Sequence, residues 1–406
     1  MRFKALAGFR DFYPPELAAR RWIEAAWHRA SRQAGFEEWD GPPLESLELF
    51  TAKSGDEIVD QLYVFDDKGG RAVSLRPEMT PTLARMVAAR AGGLPKPIKW
   101  YCVPQFFRYE RPQRGRLREF YQWNLDVIGS SEIAADAEAV AVAVEALRSL
   151  GLSEEDLVVR VSDRRLLERM LEPFELNAQR QGEVLACLDK LERDPEAQAR
   201  LEKILGRHRC ESLLGWCAKF PLQQAPEVEA LLAACEDFGI AGFVEPDFRI
   251  VRGLAYYTGP VWEIFDRRQE LRAIAGGGRY DNLIELMGGP SLPALGFGMG
   301  DVVLGRLLDE RGLMPDPPPR VDVVVVPIGE EMRAPARRVV RLLRERGVPA
   351  DTPYASPKLL KALRAAETAG ATRAVIVGPD EWARDSVVVR DLSARQDREV
   401  RLEDLE

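Results

Sequence analysis

A chain of 406 residues with 46% hydrophobic and 30% charged residues can bury a substantial core, and by length it should form two or three domains. Its net charge of -8 argues against a non-specific nucleic-acid binder, so any RNA partner must be met by local basic patches. No run of about eighteen apolar residues occurs, and the opening MRFKALAGFRDFYPPE lacks the apolar core of a signal peptide, so the chain reads as soluble and cytoplasmic, with no membrane partner.

The double proline at 14 and 15, followed by Glu16, marks a helix start, and Leu17, Trp22, Ala26 and Trp27 supply its apolar positions before Gly35. His28 belongs to that helix. Further on, LYVFDDKGGRAVSLRPEMTPTLARMV reads as a hairpin turning at DKGG, a strand to Leu75 and a helix from Pro81 with Thr80 as its N-cap. Glu78 sits just before that helix, where backbone donors favour a carboxylate; the functional reading is that it accepts from a substrate's α-ammonium group, with Thr80 as a second acceptor.

Residues 104 to 126, PQFFRYERPQRGRLREFYQWNLD, concentrate the most chemistry. FRYE and LREFYQWNLDVIG are rich in aromatic and branched residues, and RPQRG between them has the composition of a long turn, giving strand, loop, strand. Alternation puts Arg116, Arg118, Phe120, Gln122, Asn124 and Asp126 on one face and Leu117, Tyr121, Trp123, Leu125 and Val127 on the other. The polar row runs from arginines through a ring to an amide and a carboxylate, an order that suits a nucleotide followed by a small polar substrate. Arg108 and Glu110, in phase on the preceding strand, extend that surface. The same row also fits a solvated strand face whose arginines and glutamates pair across the hairpin.

ADAEAVAVAVEALRSLG is a helix ending at a glycine cap, and residues 152 to 244 read as a helical insertion of charged helices without strand rhythm. The five cysteines, Cys102, Cys187, Cys210, Cys217 and Cys235, form an odd, scattered set without a CxxC pair, so reduced thiols are expected; His208, Cys210 and Cys217 fit no common zinc spacing. DFRIVRGLAYYTGPVWEIFD, residues 247 to 266, brings strand composition back. In AIAGGGRYDNL, Gly276, Gly277 and Gly278 weaken a strand unless something must approach its backbone closely, and a substrate would do so; Arg279, Tyr280 and Asp281 then fix the turn. LGFGMGDVVLGRLLDERG is a glycine-rich strand entering a helix whose amino end favours anions. PDPPP at 315 to 319 is a stiff linker, and the strand and helix alternation after it indicates a small α/β domain. Its helical arginines, Arg337, Arg338, Arg341 and Arg344, suit either RNA phosphates or a solvated face.

FRYERPQRGRLREFYQ resembles motif 2 of class II aminoacyl-tRNA synthetases in the histidyl form, and RPEMT, RGLAYYTG and AIAGGGRYDNL agree with that likeness, which spans nearly the whole chain. The resemblance implies an α+β fold. A class II antiparallel-sheet catalytic domain would occupy residues 1 to 319, with the helical insertion at about 152 to 244, and a C-terminal α/β anticodon-binding domain would occupy 320 to 406. The first long helix and the strand near WDGPPLES would form a homodimer interface. The implied reaction activates L-histidine with ATP and Mg²⁺ to histidyl-adenylate and pyrophosphate, then transfers histidine to the 3' end of tRNA(His); no tightly bound cofactor and no protein metal site are expected. Arg108 and Arg252 would be catalytic, both touching histidine and ATP. Glu78, Met79, Thr80, Gln122, Asp126, Tyr256 and Tyr257 would bind histidine. Glu110, Arg116 and Phe120 would bind ATP, and Gly276 to Gly278 would floor the pocket. A neutral imidazole offers one donor and one acceptor, which a carboxylate and a phenol can answer.

Three departures from the family pattern stand out: Asp126 where Glu is commoner, Ala255 where Asp is usual, and Val302 and Val303 where motif 3 carries Glu and Arg. Arg306, three residues on and near the same helical face, or a basic residue elsewhere, is the expected substitute for the missing arginine. The rival reading is the non-catalytic paralogue that regulates ATP phosphoribosyltransferase, which usually lacks the RNA domain; residues 320 to 406 favour the enzyme.

Overall fold

The computed structural model describes residues 3–51, 61–111, 115–191, 194–252, 256–355 and 357–405. The chain divides into two compact units, Met1–Pro315 and Asp316–Glu406, each with its own core. Ala255, most of the RPQRG turn, and Ser356, the expected start of a C-terminal helix, lie outside the described residues; that helix runs Leu359–Thr368.

The larger unit is built on an extended sheet. Its strands are β1 (Glu37–Glu38), β5 (Ile98–Cys102), β6 (Gln105–Phe107), β7 (Glu119–Ile128), β8 (Leu157–Asp163), β9 (Val244–Pro246), β10 (Pro260–Asp266), β11 (Ala275–Arg279) and β12 (Ala294–Gly300), while β2 (Leu44–Ser46), β3 (Tyr63–Asp66) and β4 (Ala72–Leu75) form a separate small sheet. Across the large sheet the order is β1-β5-β7-β12-β11-β10-β8-β9, antiparallel except where β1 meets β5 and β8 meets β9. One face is covered by the helices Pro14–Gln33 and Ile133–Ser149, which bury Trp27, Val140 and Val144 against Trp123, Leu125 and Val127 of β7. That burial is the main stabilising term, roughly 1.5–3 kcal/mol for each large apolar side chain. The polar face of β7 is left open to a cleft.

Four expectations need correction. β6 stops at Phe107 and β7 begins at Glu119, so FRYE is not a strand and Arg116 and Arg118 precede the alternating row. The chain leaves the ladder because the Arg118 N–H donates to Gly8 O at 2.9 Å and the Tyr109 N–H to Gln61 O at 2.7 Å. The helix Thr80–Arg90 has Met79 as its N-cap and Pro81 in its first turn, so Thr80 is inside the helix and makes no cap bond. The region 152 to 244 is not wholly helical: LVVRVSD forms β8, fully buried and paired to β10 along its whole length, with Leu157, Val159 and Val161 on one face and Val158, Arg160 and Ser162 on the other, a short alternation that the helical reading of the region passed over. Finally, the described residues 247 to 252 and 256 to 259 are not strand despite their composition; Arg252 takes φ +59, incompatible with a ladder.

The smaller unit is a sheet of order β14-β13-β15-β16-β17, formed by β13 (Val323–Pro327), β14 (Ala350–Asp351), β15 (Arg373–Val377), β16 (Ser386–Asp391) and β17 (Gln396–Arg401). Helix Arg333–Glu345 buries Ala336, Val339 and Leu343 against it.

Candidate active site

A cleft of about 840 Å³ opens over the polar face of β7, β12 and β11. On the hairpin side, Arg108 follows β6 directly. Its Nε donates to Pro77 O at 2.9 Å, and its guanidinium lies 5.1 Å from the centre of the Phe120 ring, which also packs on Phe106. Burial lowers the Arg108 pKa, and the neighbouring Glu78 and Glu110 oppose that shift. Arg116 is ion-paired to Glu110 at 2.7 Å and remains partly exposed at the rim. Arg118 turns away, over Tyr109 and with Nε on Glu110 O at 3.0 Å, so it does not join the cleft. Part of the alternative reading therefore holds: one arginine and one glutamate, Arg116 and Glu110, do pair here.

A second cluster adjoins Arg108. Glu78 is 8% exposed; Tyr256 Oη donates to its Oε2 at 3.3 Å, while Oε1 is buried without a partner. Burial raises the Glu78 pKa, with Arg108 and Tyr256 working against it. A buried carboxylate oxygen with nothing to accept from is poised for an incoming donor. Arg252 lies nearby with Nη1 on Glu263 at 2.6 Å and Nε buried and unpartnered. Burial pulls its pKa down, and Tyr257 and Glu263 more than reverse this. Met79, expected to touch substrate, is only 1% exposed and packs in the core with Leu83 and Tyr257, so its side chain supports the pocket from behind.

The glycines differ in what a side chain would meet. A Cβ at Gly276 would stand 2.3 Å from Arg252 Nη1, one at Gly278 would stand 3.0 Å from the Tyr257 ring, and one at Gly277 would strike Gly296 O at 2.4 Å and Phe297 on the far side. Gly276 thus makes room beneath the site, whereas Gly277 and Gly278 serve strand packing, a Cβ at Gly278 meeting Pro260 O at 2.7 Å and Val261 at 2.8 Å before it reaches Tyr257. The floor extends onto β12 in a way the GGG run did not disclose: Gln122 lies across Gly298 and Asp126 across Gly296, where a Cβ would come within 1.6 and 2.2 Å of their polar atoms. Register explains this, since Gly276 faces Gly298 and Gly278 faces Gly296 across β11 and β12, leaving adjacent strands bare of side chains. Asp126 is bonded to Tyr280 Oη; burial pushes its pKa up to about 7, and the phenol's hydrogen bond pulls it down.

Val302 and Val303 line the outer cleft at the start of helix Asp301–Glu310, and Arg306 lines it one turn later with its Nε on Glu310 at 2.8 Å. Three functional residues were not singled out from sequence: Glu263, legible only as an acid in the apolar strand PVWEIFD, and the pair Arg10 and Asp301. Arg10 donates to Glu119 at 2.6 Å and to Asp301 at 2.9 Å, and Asp301 accepts from the Tyr121 N–H at 2.9 Å, tying the helix start to β7. No local pattern links residues so far apart. His208, Cys210 and Cys217 do not converge, and among the described residues no cluster of His, Cys, Asp and Glu could hold a metal ion. In the smaller unit, Arg333, Arg337, Arg341 and Arg344 line a groove of about 590 Å³ beside the exposed Tyr354; Arg338 is not among its lining residues.

An antiparallel sheet with a bare glycine floor, two inward arginines and an unpartnered carboxylate defines the catalytic domain of a class II aminoacyl-tRNA synthetase. A family model described as histidyl-tRNA synthetase matches residues 8–300, and one described as anticodon binding domain matches 322–406. The chain is 43% identical to a histidine-tRNA ligase of Opitutus terrae over 98% of this chain and 96% of that protein, and 40% identical to one of Haloarcula marismortui over 96% and 94%. The crystal structure of histidyl-tRNA synthetase from Nostoc sp. PCC 7120 shares the fold with a TM-score of 0.83 at 24% identity, covering 99% of this chain and 98% of that one. The chain belongs to the histidyl-tRNA synthetase family. With catalytic and anticodon-binding models in one chain and ligases matched over nearly the full length, it is a ligase and not the regulatory paralogue. Among the described residues no helix is long and apolar enough to cross a membrane.

Proposed function

We propose that the cleft binds ATP with its Mg²⁺ and L-histidine side by side, joins them as histidyl-adenylate with release of pyrophosphate, and then passes histidine to the 3' end of tRNA(His). The carrying observation is that Arg108 and Arg252 line one cleft with Gly276 and Gly298, and that Glu78, with an unpartnered oxygen, neighbours Arg108. In this reading Glu78 accepts from the α-ammonium, with Tyr256 and Thr80 beside it. Arg108 and Arg252 flank the histidine carboxylate and the α-phosphate, so that the anionic nucleophile attacks phosphorus without mutual repulsion. Phe120 stacks on adenine, and Arg116, released from Glu110, meets the outer phosphates. No general base is needed because the attacking carboxylate is already ionised. Mg²⁺ enters as part of the nucleotide substrate and neutralises phosphate charge.

Arg306 takes the place of the arginine that Val303 lacks, reaching from the same helical face toward the outer cleft. The arginine-lined groove of the C-terminal unit takes the tRNA anticodon arm. Homodimerisation is supported by the apolar residues left exposed ahead of the first helix, Phe3 at 90%, Leu6 at 73% and Tyr13 at 68%. A cytoplasmic location accords with the reduced cysteines, all five of them buried and free. ATP-pyrophosphate exchange with purified protein tests the central step. Exchange that depends on histidine and no other amino acid is expected; no exchange despite histidine binding would overturn the proposal.

A further inference from the structure

We propose that Tyr280 is a positioning residue for the amino-acid side chain: its phenol donates to Asp126 Oδ1 and so turns the carboxylate to present Oδ2 to the ring N–H of a bound imidazole. The inference rests on the reading of the cleft as a histidine-activating site and assigns to Tyr280 a role beyond fixing the turn.

Both side chains are nearly buried, Tyr280 at 3% and Asp126 at 5% exposure. Neither has much freedom. Asp126 lies against Gly296, whose Cα leaves no room for a Cβ, and Tyr280 is pinned by its N–H donating to Ala294 O at 2.7 Å and by its ring meeting Tyr256 edge to face at 5.9 Å. Tyr256 in turn donates to Glu78. Two carboxylate-phenol pairs therefore meet ring to ring, Glu78 with Tyr256 and Asp126 with Tyr280. The first has an unpartnered oxygen for an ammonium group. In the second, Oδ2 takes no hydrogen bond among the described residues and sits farther along the same face of β7 as Gln122, which lines the cleft.

An ionised carboxylate only accepts, so a phenol on Oδ1 leaves Oδ2 to select a donor. Nothing else facing Asp126 performs this service. Cys102 on β5 faces it as a thiol kept neutral by burial, β12 contributes only Gly296, and Tyr256 and Tyr257 behind Tyr280 are also held neutral by burial. Burial pushes Asp126 up to about 7, and the bond from Tyr280 is the one side-chain influence that holds it down. Without the phenol, Asp126 would carry its proton at neutral pH and confront the ring N–H with another donor.

The test is a steady-state comparison of wild type, Tyr280→Phe, Asp126→Asn and the double variant in histidine-dependent pyrophosphate exchange, across the neutral pH range. Tyr280→Phe should raise KM for histidine about tenfold to a hundredfold, with kcat and KM for ATP within about twofold of wild type. The acidic limb of kcat/KM for histidine should move to higher pH. The titrations of free histidine and of Glu78 are common to both proteins and cancel in the comparison. Asp126→Asn should leave only the part of that limb set by free histidine and Glu78, at lower pH than in wild type, and adding Tyr280→Phe to it should neither move the limb nor cost anything more. An unmoved limb and KM in Tyr280→Phe, a fall in kcat alone, or a limb in Asp126→Asn that coincides with that of wild type would each overturn the proposal; the last stands even if Tyr280→Phe fails to fold. Wild type without histidine-dependent exchange would sink the reading of the cleft and this inference with it, whereas exchanging wild type with indifferent variants would sink this inference alone.

Discussion

Arg252 sits at φ +59, in a region that side chains other than glycine enter at a cost of about 1–3 kcal/mol. That conformation swings its guanidinium over Gly276 onto Glu263, where the strain is offset by a partly buried ion pair. Arg252→Ala should therefore cost on two counts: pyrophosphate exchange should fall about a hundredfold to a thousandfold, and thermal stability should drop by roughly 1–2 kcal/mol because Glu263 is left partly buried and unpaired. Steady-state kinetics with a thermal melt separates the two losses. Arg306→Ala is predicted to behave differently. Its bond to Glu310 is partly exposed and worth little to the fold, so the melting temperature should hold while KM for ATP rises about tenfold; an unchanged KM would rule Arg306 out. Asp126 supplies a pH prediction. Its folded pKa of about 7 lies above the unfolded value of about 3.9. The folded state thus holds a proton that the unfolded state has released, and stability is lost as pH rises through about 7. Asp126→Asn should raise the melting temperature more at pH 8 than at pH 5; equal shifts would show that Asp126 titrates normally.

At the scale of elements, the active face depends on adjacent strands that give up their side chains. Gln122 and Asp126 project from β7 over β12, and their register partners and neighbours there are Gly300, Gly298 and Gly296. The two kinds of glycine should respond differently to a methyl group. Gly298→Ala meets only the end of the Gln122 side chain, so activity should fall while the melting temperature stays within a few degrees of wild type. Gly277→Ala meets the backbone of β12 at 2.4 Å and should destabilise the sheet itself. Circular dichroism melts beside exchange assays would decide, and equal melting temperatures would refute the distinction. Much of this was legible beforehand. Alternation alone placed Phe120, Gln122, Asn124 and Asp126 on one face, because a period of two survives any tertiary context. The bare floor was half legible: GGG announced β11, but the role of Gly296 and Gly298 required knowing that β12 lies between β7 and β11. Strand β8 was hidden because its alternation, Leu157, Val159 and Val161 against Arg160 and Ser162, spans only seven residues at the head of a long helical stretch.

For the whole molecule, the two compact units have separate cores, one organised on β7 and its covering helices, the other on β13 and β15. Removing residues 320 to 406 should leave histidine-dependent pyrophosphate exchange within about threefold while aminoacylation of tRNA(His) falls at least about a hundredfold, since adenylate chemistry and RNA binding use different surfaces. Loss of both activities together would show that the larger unit does not stand alone. Light scattering should give twice the 45.6 kDa chain mass if the exposed Phe3, Leu6 and Tyr13 are covered by a second copy.

The motifs RPEMT, FRYERPQRGRLREFYQ, RGLAYYTG and AIAGGGRYDNL were sufficient by themselves to determine the family and the antiparallel catalytic architecture, and they named Arg108, Phe120, Gln122, Arg252 and Gly276, which line the cleft. They are local because backbone turns, strand faces and phosphate-binding chemistry are written in neighbouring residues. Tertiary structure alone decided the partnerships: Arg252 with Glu263, Arg10 with Glu119 and Asp301, Asp126 with Tyr280, and the empty lane beneath Gln122. Each joins residues that only strand order and register bring together, and a side chain's charge state depends on the burial and partners it meets there.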